Sequence, residues 1–168
     1  MPFFYNVPTS RNHTVNKMLR SRLSDALKVA MKAKEGLTVA TIRLILAALK
    51  DRDIAARTKG NLNGISNDDI LSMLQSMIKQ RRESIEMYEK GGRQELADKE
   101  AEEIVIITSF LPEQLDDEAV ASAIDEVLAE TDAQSLKDMG KVMGLLKQRY
   151  SGRMEFSRAS AVIKDKLS

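Results

Sequence analysis

The sequence predicts an all-α protein, an N-terminal helical hairpin assembly of four helices followed by a small three-helix C-terminal domain, and three observations carry that reading. Apolar residues recur at three- and four-residue intervals through most of the 168-residue chain. No stretch convincingly alternates apolar and polar residues as a half-buried strand would. The strong breakers, Gly91-Gly92 and Pro112, fall between periodic stretches rather than inside them.

The first residues, "MPFFYNVPTSRNHTVNK", contain two prolines and no helical period, so residues 1–17 read as an irregular extension or as residues upstream of a start at Met18. They lack the apolar core and small-residue cleavage site of a secretory signal and the arginine content of an organellar transit peptide. An N-terminal helical domain then spans 18–111. Its first helix runs from about Lys17 to Ala33 on Leu19, Leu23, Leu27 and Met31, and ends near Gly36. The second, Thr38 to about Arg57, carries Val39, Ile42, Ile45, Leu46 and Leu49, and the loop "TKGNLNG" ends it. Ser66 and Asp69 have capping-box spacing ahead of a third helix that buries Ile70, Met73, Leu74, Met77 and Ile78 and stops at Gly91. The fourth runs from Arg93 to about Thr108. Pro112 disfavours helical geometry at Leu111, and a second unit, 112–168, begins there. Its helices are expected at Asp116 to Glu130, at Ser135 to Tyr150 behind a Ser135/Asp138 capping box, and at Ser157 to Leu167.

Composition narrows function. Hydrophobic residues make up 43% of the chain and charged ones 30%, the balance of a soluble globular protein, and no apolar run reaches the length of a membrane span. Without cysteine there is no disulfide, thiol nucleophile or thiolate zinc site. The lone His13 supports neither a histidine metal cluster nor a catalytic triad, so no cofactor and no metal are expected, and a reducing cytoplasm fits. Aromatic content of 4% argues against a base-stacking platform. Glu100 and Glu103 share a helix face, but a Glu-rich face is ordinarily a solvated one. No glycine-rich phosphate loop is present, and no catalytic residue is assigned.

Charge is divided along the chain. Between Pro112 and Ser135 lie eight acids and no Lys or Arg, whereas from Leu136 onward eight bases face three acids. A secondary basic cluster, Lys79, Arg81 and Arg82, lies on the third helix, where neighbouring glutamates three or four residues away temper it. The methionines, among them Met73, Met77, Met139 and Met143, sit at core spacing.

Within "DMGKVMG", Gly140 and Gly144 interrupt a helical pattern, and each should cost about 1 kcal/mol relative to alanine in a helix interior. At about 100° per residue, Met139, Met143, Leu146 and Tyr150 gather on one side and Lys137 and Lys141 on another, with the glycines on the border beside Lys147. Two readings stay open: a neighbouring helix packs closely there, or a ligand backbone, such as a phosphate chain, approaches a smooth notch lined by lysines.

The blocks "TIRLILAALKDRDI", "KQRRESIEMYEKGGRQELADKEAEEI", "FLPEQL", "DMGKVMG" and "VIKDKL" resemble the YqeY family of GatB/YqeY-domain proteins, from Met18 to the end of the chain. The resemblance implies an all-helical, two-part protein of bacterial type whose C-terminal part is similar to the tail domain of the B subunit of glutamyl/aspartyl-tRNA amidotransferase. By that resemblance "GKVMG" belongs to a fold used next to tRNA. It implies a cytoplasmic, tRNA-associated module, accessory to amide transfer and in contact with a tRNA-synthetase or amidotransferase component, without catalytic residues of its own. The tRNA-binding candidates are then Lys137, Gly140, Lys141, Gly144, Lys147, Arg149, Arg153 and Arg158. The other reading is a protein-interaction adaptor whose acidic Glu113 to Asp132 stretch meets a basic partner.

Overall fold

The computed structural model describes residues 10–168, with side chains from Met18 onward. His13 and residues 1–9 therefore lie outside what is described of side chains. Among the described residues there are seven α-helices and no strand. These are α1 (Ser10–Lys32), α2 (Gly36–Thr58), α3 (Asn67–Lys90), α4 (Gln94–Thr108), α5 (Asp117–Thr131), α6 (Met139–Tyr150) and α7 (Phe156–Leu167), with a 3-10 turn, Leu136–Asp138, leading into α6. The chain divides into two compact units, one ending at Phe110 and the other running Leu111–Ser168.

α1 begins at Ser10, upstream of Lys17 where apolar spacing starts. Once a helix is nucleated, each further residue adds a hydrogen bond at little cost, so a stretch free of Gly and Pro extends it. Its other end also departs from expectation. The turn residue is Lys34, at φ 58°, and Gly36 instead opens α2. The Glu35 N–H donates to the Ala30 carbonyl (3.0 Å) and the Lys34 N–H to that of Met31 (3.2 Å), the pairing that closes a helix through a left-handed residue.

In the first unit α3 and α4 pack along each other as a hairpin, and α1 and α2 pack together against them. The shared core includes Leu23, Ile42, Ile45, Ile70, Leu74 and Ile107, all essentially inaccessible. Thr41, buried on the same face of α2, is satisfied by donating its hydroxyl to the Leu37 carbonyl at 2.8 Å. The capping box forms: the Asp69 N–H donates to Ser66 Oγ (3.1 Å) and the Ser66 N–H to Asp69 Oδ2 (3.3 Å).

One ion pair ties three segments together. Arg20 of α1 holds Asp53 of α2 through both carboxylate oxygens, at 2.6 and 2.9 Å, and also donates to the Ile65 carbonyl at 3.1 Å. The Ile65 N–H returns a bond to Asp53 Oδ1 at 2.9 Å. Gly64, at φ +83°, lies beside this cluster, where a Cβ would stand 2.6 Å from Asp53 Oδ1. Both its conformation and its surroundings require glycine. Hydrogen bonds from Arg20, helped by the one from Ile65 and opposed by partial burial, hold the Asp53 carboxyl below the usual carboxylate range.

In the second unit Ala123, Ile124, Val127, Val142, Leu146, Met154, Ala159 and Ile163 form the core. Two contacts draw the Gly152 turn toward the entry segment: the Leu115 N–H donates to the Arg153 carbonyl at 2.9 Å, and Gln114 Nε2 to that of Gly152 at 2.6 Å. No described helix is long and apolar enough to cross a membrane.

Two outcomes follow. Lys34→Gly should stabilise the chain by about 0.5 to 1 kcal/mol, since a left-handed non-glycine residue costs roughly 1 to 2 kcal/mol and glycine's freer unfolded chain takes part of that back; chemical denaturation measures it. Asp53→Asn should destabilise by about 1.5 to 3 kcal/mol at neutral pH, the worth of hydrogen bonds to a charged group. Because the folded carboxyl titrates below its unfolded value, the wild-type advantage is full above about pH 4 and disappears as pH falls through the folded pKa. Parallel pH-stability curves for the two proteins read that window.

Candidate functional site

α6 is flanked by α5 and α7, and both pack on it. Its buried face therefore centres on Val142 and Leu146, with Met139, Met143 and Tyr150 at the rim. That centre lies about 50° round the helix from the methionine and tyrosine side. The shift corrects the expected position of the glycines. Gly140 and Gly144 do not stand at a buried border; both are exposed, and a Cβ at either would meet nothing within 4 Å. Among the described residues nothing packs close enough to an added Cβ at either glycine to support the close-packing reading within this unit.

Lys137, Lys141 and Lys147 are exposed around the same side, and none forms an ion pair among the described residues. Backbone N–H groups of Gln134 and Ser135, donating at 3.0 and 3.1 Å, hold the Asp138 carboxyl below the usual carboxylate range, with the Lys141 charge adding least. Asp138 thereby fixes the turn that launches α6. The result is a smooth exposed helix face, two glycines wide at its centre and bordered by three lysines.

The candidate arginines are used differently. Arg149 reaches Glu130 of α5 at 2.7 Å, Arg158 pairs with Glu155 at 3.2 Å, and Arg153 Nε donates to the Glu113 carbonyl at 3.1 Å. The acidic stretch is committed in the same way. Asp116 caps α5 through the Ala119 N–H at 2.7 Å, and Asp125 pairs with Lys166 of α7 at 2.8 Å. Two of the eight acids, Asp125 and Glu130, are thus paired inside the unit and Asp116 caps a helix, while Glu113, Asp117, Glu118 and Glu126 stay exposed.

The secondary cluster is also split. Arg81 turns inward to Glu103 of α4 at 2.8 Å, with Glu100 at 3.9 Å and the Met77 carbonyl at 3.2 Å. The side chains of Arg81 and Glu103 are each only 12% exposed, so these carboxylates are hairpin partners and not a solvated face. Lys79 remains exposed, and Arg82 is half-buried on the neighbouring side. Among the described residues no group of three or more His, Cys, Asp or Glu is placed to hold a metal ion.

The family model of the Yqey-like proteins matches residues 20–167. Curated relatives carry the name "Altered inheritance of mitochondria protein 41, mitochondrial". The protein of Eremothecium gossypii is 38% identical over 113 residues, covering 67% of this chain and 57% of its own length. That of Candida glabrata is 32% identical over 102 residues, covering 61% and 54%. That of Lachancea thermotolerans is 34% identical over 127 residues, covering 72% and 66%. The chain thus spans between 54% and 66% of the length of these relatives. Their names correct two expectations. They place the relatives in mitochondria, against a cytoplasmic protein, and they overturn the bacterial-type, tRNA-associated module accessory to amide transfer.

The open geometry at Gly144 gives a direct check. Gly144→Ala should stabilise the fold by about 0.5 to 1 kcal/mol, the helix-propensity difference with no steric penalty, and thermal unfolding should show a higher midpoint. A lower midpoint would mean that a neighbour covers this face.

Proposed function

The chain belongs to the YqeY family of Yqey-like proteins, and from that premise we propose that it is a helical docking module of mitochondria whose α6 face engages an acidic protein partner. The observation that carries this reading is the open glycine and lysine face. Glycine at position 144 weakens α6, and among the described residues nothing lies within 4 Å of where its Cβ would stand. A partner backbone or helix lying against Gly140 and Gly144 would recover that cost, with Lys137, Lys141 and Lys147 setting its charge. In this reading residues 18–111 serve as a four-helix scaffold and 112–168 as the three-helix docking domain. The mitochondrial setting rests on the names of the relatives.

Cells lacking a fungal relative supply the test. Expression of this chain, delivered to mitochondria, should restore organelle inheritance scored by microscopy. The Lys137→Glu, Lys141→Glu, Lys147→Glu triple variant should fail while unfolding at the wild-type temperature. Equal rescue by the triple variant would remove α6 from the proposal, and absence of rescue by the wild type would remove the mitochondrial role.

A further inference from the structure

α2 has two apolar faces, and among the described residues one packs into the core. Thr41, Ile42, Ile45 and Leu49 face the core. On the opposite side a second series follows the seven-residue repeat of a coiled-coil seam: Leu37, Ala40, Leu44, Ala47 and Ile54, interrupted by Asp51. Leu44 is 52% exposed and Ile54 49%, and Ala40 and Ala47 are exposed as well. A lone exposed leucine is ordinary. A heptad register exposed from Ala40 to Ile54, with half-buried Leu37 at its head, is the pattern that buries a partner helix. Alanine at alternate seam positions would let that helix approach closely.

The flanks say which partner. Arg43, Lys50 and Arg57 recur every seventh residue along one edge of the seam, all exposed, and the other edge carries the small Ala48 and Ala55. A second copy fits poorly in either direction. An antiparallel pair of α2 helices would set Arg43 against Arg57 and Lys50 against Lys50, and a parallel pair would bring two Asp51 carboxylates together in the seam. Acidic residues at heptad spacing on a different chain match this edge. We propose that the outer face of α2 is a second docking surface, one that binds an amphipathic helix with an apolar seam and an acidic flank. It lies in the first unit and does not depend on the role given to α6.

A synthetic helix about three heptads long, with leucine at its seam positions and glutamate on both flanks, serves as the probe. A control peptide keeps the seam and carries lysine on the flanks. With the full chain at low salt, fluorescence anisotropy should show the glutamate peptide binding at least about tenfold more tightly than the control. The Leu44→Glu, Ile54→Glu double variant should lose that binding while keeping the wild-type helicity and melting temperature. Arg43→Glu with Lys50→Glu should reverse the preference between the peptides. Failure of the glutamate peptide to bind, or equal binding of both peptides, would overturn the proposal. So would a dimer of the chain in sedimentation that Leu44→Glu dissociates, because it would assign the face to a second copy.

Discussion

The first unit depends on the cluster built by Arg20 and Asp53. It joins residues 33 and 45 positions apart in sequence, so closing it fixes α1, α2 and the segment that launches α3 in one step. Every polar group in it is answered: the guanidinium meets the carboxylate through two bonds, and the Ile65 carbonyl and N–H each find a partner. A bidentate arginine pair is directional, which a hydrophobic contact is not, so the cluster sets an angle as well as a distance. With α3 starting at Asn67, that angle carries into the α3–α4 hairpin. The part-buried Arg81–Glu103 pair plays a matching role within the hairpin, linking its two helices.

Much of this fold was legible because most helices bury one narrow face. α2, α3 and α4 showed in the spacing of their apolar residues, and the Ser66 capping box and Pro112 marked boundaries through local chemistry that needs no tertiary partner. The failures come from residues whose role is set by neighbours. Gly36 looked like the stop of α1, yet Lys34 takes the left-handed position, since the hydrogen bonds that close the helix offset a conformational cost the sequence alone makes look prohibitive. The Arg20–Asp53 pair was invisible for a related reason: nothing local distinguishes those two charges from the many others on α1 and α2. α6 failed through its middle position. A helix packed on one side by a single neighbour shows one stripe, but α5 and α7 together pull its buried centre onto Val142 and Leu146 and turn the glycines outward.

Charge was the most misleading feature of the sequence. An acidic segment followed by a basic one reads as two surfaces for two ligands, but the helices carrying them are neighbours in space. Glu130 with Arg149 and Asp125 with Lys166 are the consequence. Apart from Lys166, the division between paired and unpaired bases follows side-chain chemistry. The arginines, with several donors in a rigid fork, are drawn to carboxylates and carbonyls of the same unit, while Lys137, Lys141 and Lys147, with compact and strongly hydrated charges, remain in water. A count of bases along the chain cannot make that separation. Only the three lysines carry over to the face proposed for α6.

The two proposed surfaces differ in what the fold gives up to keep them. The outer seam of α2 is built of leucine and alanine, residues that favour the helix whether or not anything binds, so its presence costs α2 nothing. Gly144 is different, since it sits mid-helix, in the open, in an ordinary helical conformation, and any other common residue except proline would hold α6 better. Intramolecular packing accounts for Gly64, where a Cβ would collide with Asp53, but it gives no account of Gly144. In the docking role proposed for α6, a partner surface that comes closer to the helix axis than a side chain would allow is what offsets that cost. In that proposal the exposed lysines around it favour a negatively charged partner.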